Sequence, residues 1–237
     1  MKTLSLLVIC LAFAYGKNTN IAEPAVYAPL DEIYGNISPG VGADVELNGD
    51  TTLVNGHKGK AIHTPNSGTW DGNFLTLGRF KNQCINDIDK CTNGYTVSFW
   101  YKKDPGSHRY PVGVLGSASD WQVWDSDYDT EPGRHAPYFF WFGKDGRRYV
   151  GFRVQTVTKG KWHHIALVAR SRKDVSFYVN GEKLSEVRPS GKKTVAAKTV
   201  EFGCEKRKNC ISAAFDEIKI WEEAKSDAEI KQIYAMK

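Results

Sequence analysis

The stretch Tyr95-Thr-Val-Ser-Phe-Trp-Tyr101 carries the reading of the fold. Val97 and Phe99 alternate with Ser98 and Trp100, the two-residue period of a strand with one buried face. Working outward, Pro137 to Phe142 and Arg148 to Gln155 flank Lys-Asp-Gly-Arg, and Asp145-Gly146 is a strong hairpin signal. In the second arm Val150, Phe152 and Val154 alternate with Gly151, Arg153 and Gln155. Trp162 to Ala169 is apolar on both faces, as a central strand requires. Val175 to Val179 runs into Asn180-Gly181, a second hairpin signal, and Glu182 to Val187 returns. Phe215 to Trp221 is the last clear strand. One helix follows: Ser226-Asp-Ala-Glu229 is a capping box, with Ile230, Ile233 and Tyr234 at helical spacing behind it. No strand-helix alternation of the kind that builds a parallel sheet occurs. The reading is all-β, an antiparallel sandwich with a short C-terminal helix.

Composition agrees. The 237 residues are 41% hydrophobic and 25% charged, which excludes a disordered or fibrous chain. Seven Trp, eleven Tyr and eleven Phe against two Met favour sheets, whose interfaces flat side chains fill well. Residues 1–16 have a Lys at position 2, an apolar run from Leu4 to Ala14 and small residues at Ala12, Ala14 and Gly16. That is the pattern of a cleaved secretory signal peptide. The run is shorter than the roughly 18–20 residues of a membrane span, and no later stretch is long enough. Residues 17–24 are expected to be a flexible N-terminus. The expected location is extracellular.

Cleavage near Gly16 removes Cys10 and leaves Cys84, Cys91, Cys204 and Cys210. An even number in a secreted chain points to pairing, and the short spacings favour two local disulfides. Zinc is a poor rival, because six- and seven-residue steps do not fit paired Cys ligands. Asn36-Ile-Ser38 is an N-glycosylation sequon, which places Asn36 on an exposed loop.

Four segments then occur in order: Gly94-Tyr-Thr-Val-Ser-Phe-Trp100, Lys161-Trp-His-His-Ile-Ala-Leu167, Val175-Ser-Phe-Tyr-Val-Asn-Gly181, and Phe215-Asp-Glu-Ile-Lys-Ile-Trp221 with Asp227-Ala-Glu-Ile230. Together they resemble the laminin G-like, concanavalin A-like lectin/glucanase jelly-roll family over residues 25–237. The resemblance implies a jelly-roll β-sandwich of two antiparallel sheets with about a dozen strands. Trp100 and Trp162 are read as large core side chains, and Asp216 as ordering the turn into the last strand.

Candidate sites follow from residue chemistry. Asp120, Asp125, Asp127, Asp129 and Glu131 fall within twelve residues, and such hard oxygen ligands suit calcium. The segment is not an EF-hand, since Thr130 stands where Gly is needed and Ala136 where the bidentate Glu is needed. Asp71 and Asn73 are further candidates, because members of the resembling family hold calcium at a loop rim. Trp121, Trp124 and Tyr128 beside this loop are candidate glycan-stacking residues. From Lys144 to Lys208 there are 17 Lys/Arg and 6 Asp/Glu, a net +11 hidden inside a total of +5. Arg147, Arg148, Arg172, Lys173, Lys192, Lys193, Lys206, Arg207 and Lys208 are its candidate anionic-polysaccharide residues.

Catalysis finds little support. Asp216, Glu217, Glu222 and Glu223 are the best paired carboxylates, and strand alternation puts Asp216 and Glu222 on one face with Ile218 and Ile220. The Glu-x-Asp-x-x-Glu arrangement of the resembling glucanases is absent. His163 and His164 are adjacent in a strand and face opposite ways, so they do not share a metal. The expected function is a secreted, non-enzymatic module binding glycans or extracellular matrix, with calcium as a candidate cofactor. A structural matrix component is the alternative, and a glycosidase a weaker one. Nucleic acid is not an expected partner, and the oligomeric state is left open.

Overall fold

The computed structural model describes residues 21–66, 72–79, 84, 90–106, 112–117, 121–126, 134–142, 148–151, 157–171, 174–187, 199–204 and 210–236. The strands begin with β1 (Val26–Ala28), β2 (Ile37–Ser38), β3 (Val45–Asn48), β4 (Thr52–Asn55), β5 (Lys60–Thr64) and β6 (Phe74–Arg79). Next come β7 (Tyr95–Lys103), β8 (Val112–Ser117), β9 (Trp121–Ser126), β10 (Arg134–Phe142), β11 (Arg148–Gly151) and β12 (Val157–Thr158). The chain ends with β13 (His163–Ser171), β14 (Asp174–Val179), β15 (Glu182–Val187), β16 (Thr199–Phe202), β17 (Ala213–Trp221) and α1 (Asp227–Ala235).

They form an antiparallel jelly-roll sandwich. One sheet runs β15-β14-β13-β7-β17-β5-β4, with β1 also paired to β17; the other runs β11-β10-β9-β8-β16-β6-β3-β2, with β12 on β10. The inner residues of β7 are those the alternation selects: Tyr95, Val97, Phe99 and Tyr101 are all buried in the main core. Opposite them, Val45, Leu75, Leu77, Val123, Val200 and Phe202 close the sandwich. Phe99 meets Phe202 edge-on with ring centroids 5.3 Å apart, and Phe202 meets Phe215 at 5.8 Å. Such edge-to-face pairs add about 0.5–1.5 kcal/mol beyond the area they bury.

The two-faced apolarity of β13 also has its reason. Ile165, Leu167 and Ala169 face the sandwich, while Ala166 and Val168 face outward and pack with Tyr178, Trp221, Ile230 and Ile233. The helix thus roofs the outer surface of this sheet. Its capping box is formed: Ser226 Oγ accepts from the Glu229 amide, and Glu229 accepts from the Ser226 amide at 2.8 Å. Both disulfides, Cys84–Cys91 and Cys204–Cys210, join the expected partners. At the start of the described chain Ile21 packs beside the helix cluster, and Trp221 Nε1–H donates to the Ala22 carbonyl at 2.7 Å.

Two expectations are corrected. Trp100 and Trp162 are not in the sandwich core. Trp100 shares the outward register of Ser98 and stacks on His57, while Trp162 is half-buried with the Lys102 ammonium 5.0 Å from its ring centre. In β17, Asp216 pairs with Trp100 but the next pairing is Lys219 with Ser98. Three steps on β17 therefore oppose two on β7, a β-bulge, and Glu217 takes a left-handed φ of 51° inside it. Phe215, Ile218 and Ile220 consequently all face the core, and Asp216 is separated from the two isoleucines that simple alternation assigns to its face.

The β14–β15 hairpin turns at Asn180 (φ 51°) and Gly181 (φ 78°), both left-handed as the Asn-Gly signal demands. A Cβ on Gly181 would also meet the Tyr234 ring at 2.9 Å. Gly181→Ala is therefore expected to lower stability by about 1–2 kcal/mol. Thermal unfolding followed by circular dichroism checks this, with a drop in Tm of about 2–4 °C per kcal/mol expected for a domain of this size. An unchanged Tm contradicts it.

Candidate ligand-binding cleft

The bulge in β17 turns two consecutive carboxylates towards the outer surface. Asp216 is fully buried, and its Oδ2 accepts backbone N–H groups from His57 at 2.7 Å and Lys58 at 3.0 Å. It thereby pins the β4–β5 turn, not the turn into the last strand. Its Oδ1 has no hydrogen-bond partner among the described residues. Burial, helped by the neighbouring Glu217 charge, pushes the Asp216 carboxyl up to about 7.

The pinned turn lays His57 flat on Trp100, with ring centroids 3.5 Å apart and 12° between planes. Tyr234 of α1 stacks on Trp100 as well, at 5.6 Å and 25°. His164 lies against the same indole at 5.4 Å, and burial pushes it down to about 3, so it is neutral. Burial lowers His57 too. The outer face thus carries a largely uncharged aromatic stack that ends at the exposed Tyr234.

Beside this stack opens a cleft of about 360 Å³ between the 21–24 segment, β1, β17, Lys58 and Met236. That is within the size range of small-ligand sites. On its floor Tyr27 Oη–H donates to Glu217 Oε1 at 2.6 Å, and Lys219 Nζ donates to Glu217 Oε2 at 2.7 Å. The Lys219 ammonium also lies 5.0 Å from the centre of the Tyr27 ring. Burial and the Glu217 carboxylate push the Tyr27 hydroxyl well above its ordinary range, so it remains a donor. A cleft with a partly exposed aromatic ring, a fixed carboxylate and a fixed ammonium can hold a polyhydroxylated ligand by its apolar face and its hydroxyls together.

A second depression, of about 600 Å³, lies at the rim between β5, β6 and β7. There Asp104 Oδ2 receives both His63 Nε2, at 2.8 Å, and Ser212 Oγ–H, at 2.7 Å, and these contacts hold its carboxyl below the usual range. Serine donates to the carboxylate and not to the imidazole, so no base is placed to activate it. The nearby Asn66 and Asn73 spend their amides on backbone groups: Asn66 donates to the Asn73 and Ile211 carbonyls, and Asn73 accepts from the Asp50 amide at 2.7 Å. This rim ties loops together.

The family model for the concanavalin A-like lectin/glucanases superfamily, Laminin_G_3, matches residues 77–231. The chain belongs to this superfamily. No curated protein matches the sequence. Among solved structures, this concanavalin A-like domain is similar to the receptor-binding domain of botulinum neurotoxin C/D mosaic serotype (TM-score 0.65, 14% identity, 90% of this chain and 51% of that one). It is similar also to the binding domain of Paraclostridial Mosquitocidal Protein 1 (TM-score 0.65, 14% identity, 88% and 51%). A third likeness is domain 4 of AbnA, a GH43 extracellular arabinanase from Geobacillus stearothermophilus, in complex with arabinotriose (TM-score 0.60, 17% identity, 90% and 98%). The chain spans about half the length of the first two structures and nearly all of the third.

Within this concanavalin A-like domain the sequence-based sites separate. Asp125 is buried in the sandwich, with Lys103 on Oδ1 at 2.9 Å and Tyr101 and His135 on Oδ2 at 2.6 and 2.5 Å. Burial raises its carboxyl, but Lys103 and His135 outweigh that and hold it well below the ordinary range. It is enclosed, not open at a loop rim. Asp71, Asp120, Asp127, Asp129, Glu131, Tyr128, Arg147, Arg172, Lys173, Lys192, Lys193, Lys206, Arg207 and Lys208 lie outside the described residues. Trp121 and Trp124 sit on β9 in register with Trp141 and Tyr138, and Arg148 opens β11 opposite Phe142. Asn36 is exposed in the turn between Tyr34 and Ile37. Glu222 is exposed and Glu223 pairs with Lys225, so neither joins Asp216. Among the described residues no three His, Cys, Asp or Glu side chains are grouped to hold a metal. No sequence pattern marked Tyr27 and Lys219 as binding residues; they meet through strand pairing, Tyr27 opposite Lys219.

The raised Asp216 carboxyl has a signed consequence. The folded state keeps this proton up to about pH 7, whereas the unfolded chain loses it near the ordinary carboxylate range of about 4. Its contribution to stability is therefore complete below about pH 4 and is lost as pH rises through 7. Asp216→Asn keeps an acceptor for the turn and removes the titration. Urea unfolding at pH 4, 5.5 and 7 should show the stability difference between variant and wild type moving in the variant's favour as pH rises. A difference independent of pH would rule the titration out.

Proposed function

We propose that this protein is a non-enzymatic carbohydrate-binding module that recognises glycans in the cleft formed by Tyr27, Glu217, Lys219 and the 21–24 segment. The observation that carries the reading is the Tyr27–Glu217–Lys219 group, a ring and two opposite charges fixed on one another on the open face of a lectin-type sandwich. The like-folded arabinanase domain, with arabinotriose bound, supports carbohydrate as the ligand class. Asp216 is sealed from solvent and committed to a turn, and Glu217 is committed to Tyr27 and Lys219. Neither is free to act as acid or nucleophile on a glycosidic bond, which favours binding over turnover. Two disulfides fit an extracellular setting, and no helix among the described residues is long and apolar enough to cross a membrane.

A glycan array read with wild type, Tyr27→Ala and Lys219→Ala tests this. Wild type is expected to bind a defined set of glycans, and each variant to lose about tenfold or more in affinity, roughly 1.4 kcal/mol. Unchanged binding in both variants, or turnover of any polysaccharide, overturns the reading. Repeating the array with a chelator tests calcium, for which Asp127, Asp129 and Glu131 stay the candidate ligands.

The net +11 between Lys144 and Lys208 favours a second ligand surface for anionic polysaccharide of the extracellular matrix. Retention on heparin above physiological salt, lost in the triple variant Lys206→Ala, Arg207→Ala, Lys208→Ala, is the expected result. Flow-through at low salt contradicts it.

A further inference from the structure

Between the two sheets lies a charged cluster that glycan binding does not use. Tyr101 and Lys103 come from β7 of one sheet, Asp125 and His135 from β9 and β10 of the other. Lys103 and Asp125 are both fully buried, with Lys103 Nζ 2.9 Å from Asp125 Oδ1. The other carboxylate oxygen, Oδ2, holds Tyr101 Oη at 2.6 Å and His135 Nδ1 at 2.5 Å. His135 is itself fully buried, its Nε2 has no hydrogen-bond partner among the described residues, and its ring lies 5.9 Å from that of His163.

We propose that Lys103 and Asp125 form an intramolecular isopeptide bond that joins the two sheets. Every component of the condensation is in place. The amine nitrogen sits against the carboxyl group it must attack, held there by two sheets of a packed core, so the step is effectively unimolecular. The ion pair is the resting state, in which Lys103 and His135 keep Asp125 ionised; the reacting form is the minor neutral pair, reached when one proton passes from the ammonium to the carboxylate and both buried charges vanish. The neutral amine of Lys103 then attacks Asp125 Cγ and forms the C–N bond. Oδ1 becomes the amide carbonyl. Oδ1 gives up the proton it first received as it becomes the carbonyl, and that proton and the second amine proton both reach Oδ2, where Tyr101 and His135 are hydrogen-bonded. The Cγ–Oδ2 bond breaks and Oδ2 leaves as water. In sum, one ammonium and one carboxylate give one amide and one water. Charge is balanced, nothing is oxidised or reduced, and no co-reactant is needed.

The product suits the site better than the reactants do. A neutral amide replaces two fully buried charges, and the closed core that excludes water also protects the bond from hydrolysis. The consequence is a covalent clasp between β7 and β9, a sheet-to-sheet link that neither short-range disulfide supplies.

The test is the intact mass of the purified, reduced and deglycosylated full chain, compared with its Lys103→Arg variant under the same treatment. After allowance for the Lys-to-Arg difference, wild type is expected to be lighter by one water. Tandem mass spectrometry of a digest should place the loss in a branched fragment joining Lys103 to Asp125. A wild-type chain with its full complement of water overturns the proposal, as does a loss mapped elsewhere, for instance to an Asp-Gly imide at Asp71-Gly72 or Asp145-Gly146. The wild-type mass decides the matter against the mass the sequence requires even if the variant folds poorly.

Discussion

One extra residue in β17 governs the outer face of this molecule. Without the bulge at Glu217, regular pairing would turn Ile218 outward with Asp216 and leave the core short of a large side chain. With it, Phe215, Ile218 and Ile220 all enter the sandwich, and Asp216, Lys219 and Trp221 lie on the outer side. The left-handed backbone at Glu217 carries a cost of about 1–2 kcal/mol, offset by the burial of the isoleucines it reorients. The bulge therefore turns Asp216 and Glu217 to the outer side of the sheet, where they are buried beneath the β4–β5 turn and Tyr27, while completing the core behind them.

From that single shift the rest of the outer face follows. Asp216 reaches across to two backbone amides and holds the β4–β5 turn, which lays His57 on Trp100. The helix closes over Trp221 and brings Tyr234 to the same indole. Glu217, displaced by the bulge, meets Tyr27 of β1 and Lys219 of its own strand. The cleft is thus assembled by pairing geometry, from residues 190 positions apart in sequence. Inside the sandwich, the buried Lys103–Asp125 contact is a separate tie between the sheets, made where β7 and β9 face each other.

Much of the fold was legible because it rests on local rules. Alternation in β7, apolarity on both faces of β13, the Asn180-Gly181 turn and the Ser226 capping box each depend on residues a few positions apart. The paired cysteines were legible for the same reason. Trp100 and Trp162 were misassigned because size alone suggested the core, although the register of Trp100 already pointed away from Phe99. The assignment of Asp216 to the face of Ile218 failed because alternation has no means of announcing a bulge. Asp125 read as a loop-rim ligand because acidic residues crowd that segment; its neighbours Lys103 and His135 come from other strands, and nothing local shows them.

The sequence by itself therefore determined the class of fold, several of its strands and hairpins, the helix and both local disulfides, since periodicity, turn chemistry and capping act over short separations. Only the tertiary structure decided which face each side chain of β17 takes, that Tyr27, Glu217 and Lys219 form one cleft, and that Lys103 meets Asp125 in a dry core. Those outcomes depend on long-range register, where one inserted residue exchanges core for surface. They depend also on burial, which alters the chemistry of Asp216 and His164 without changing a letter of the chain.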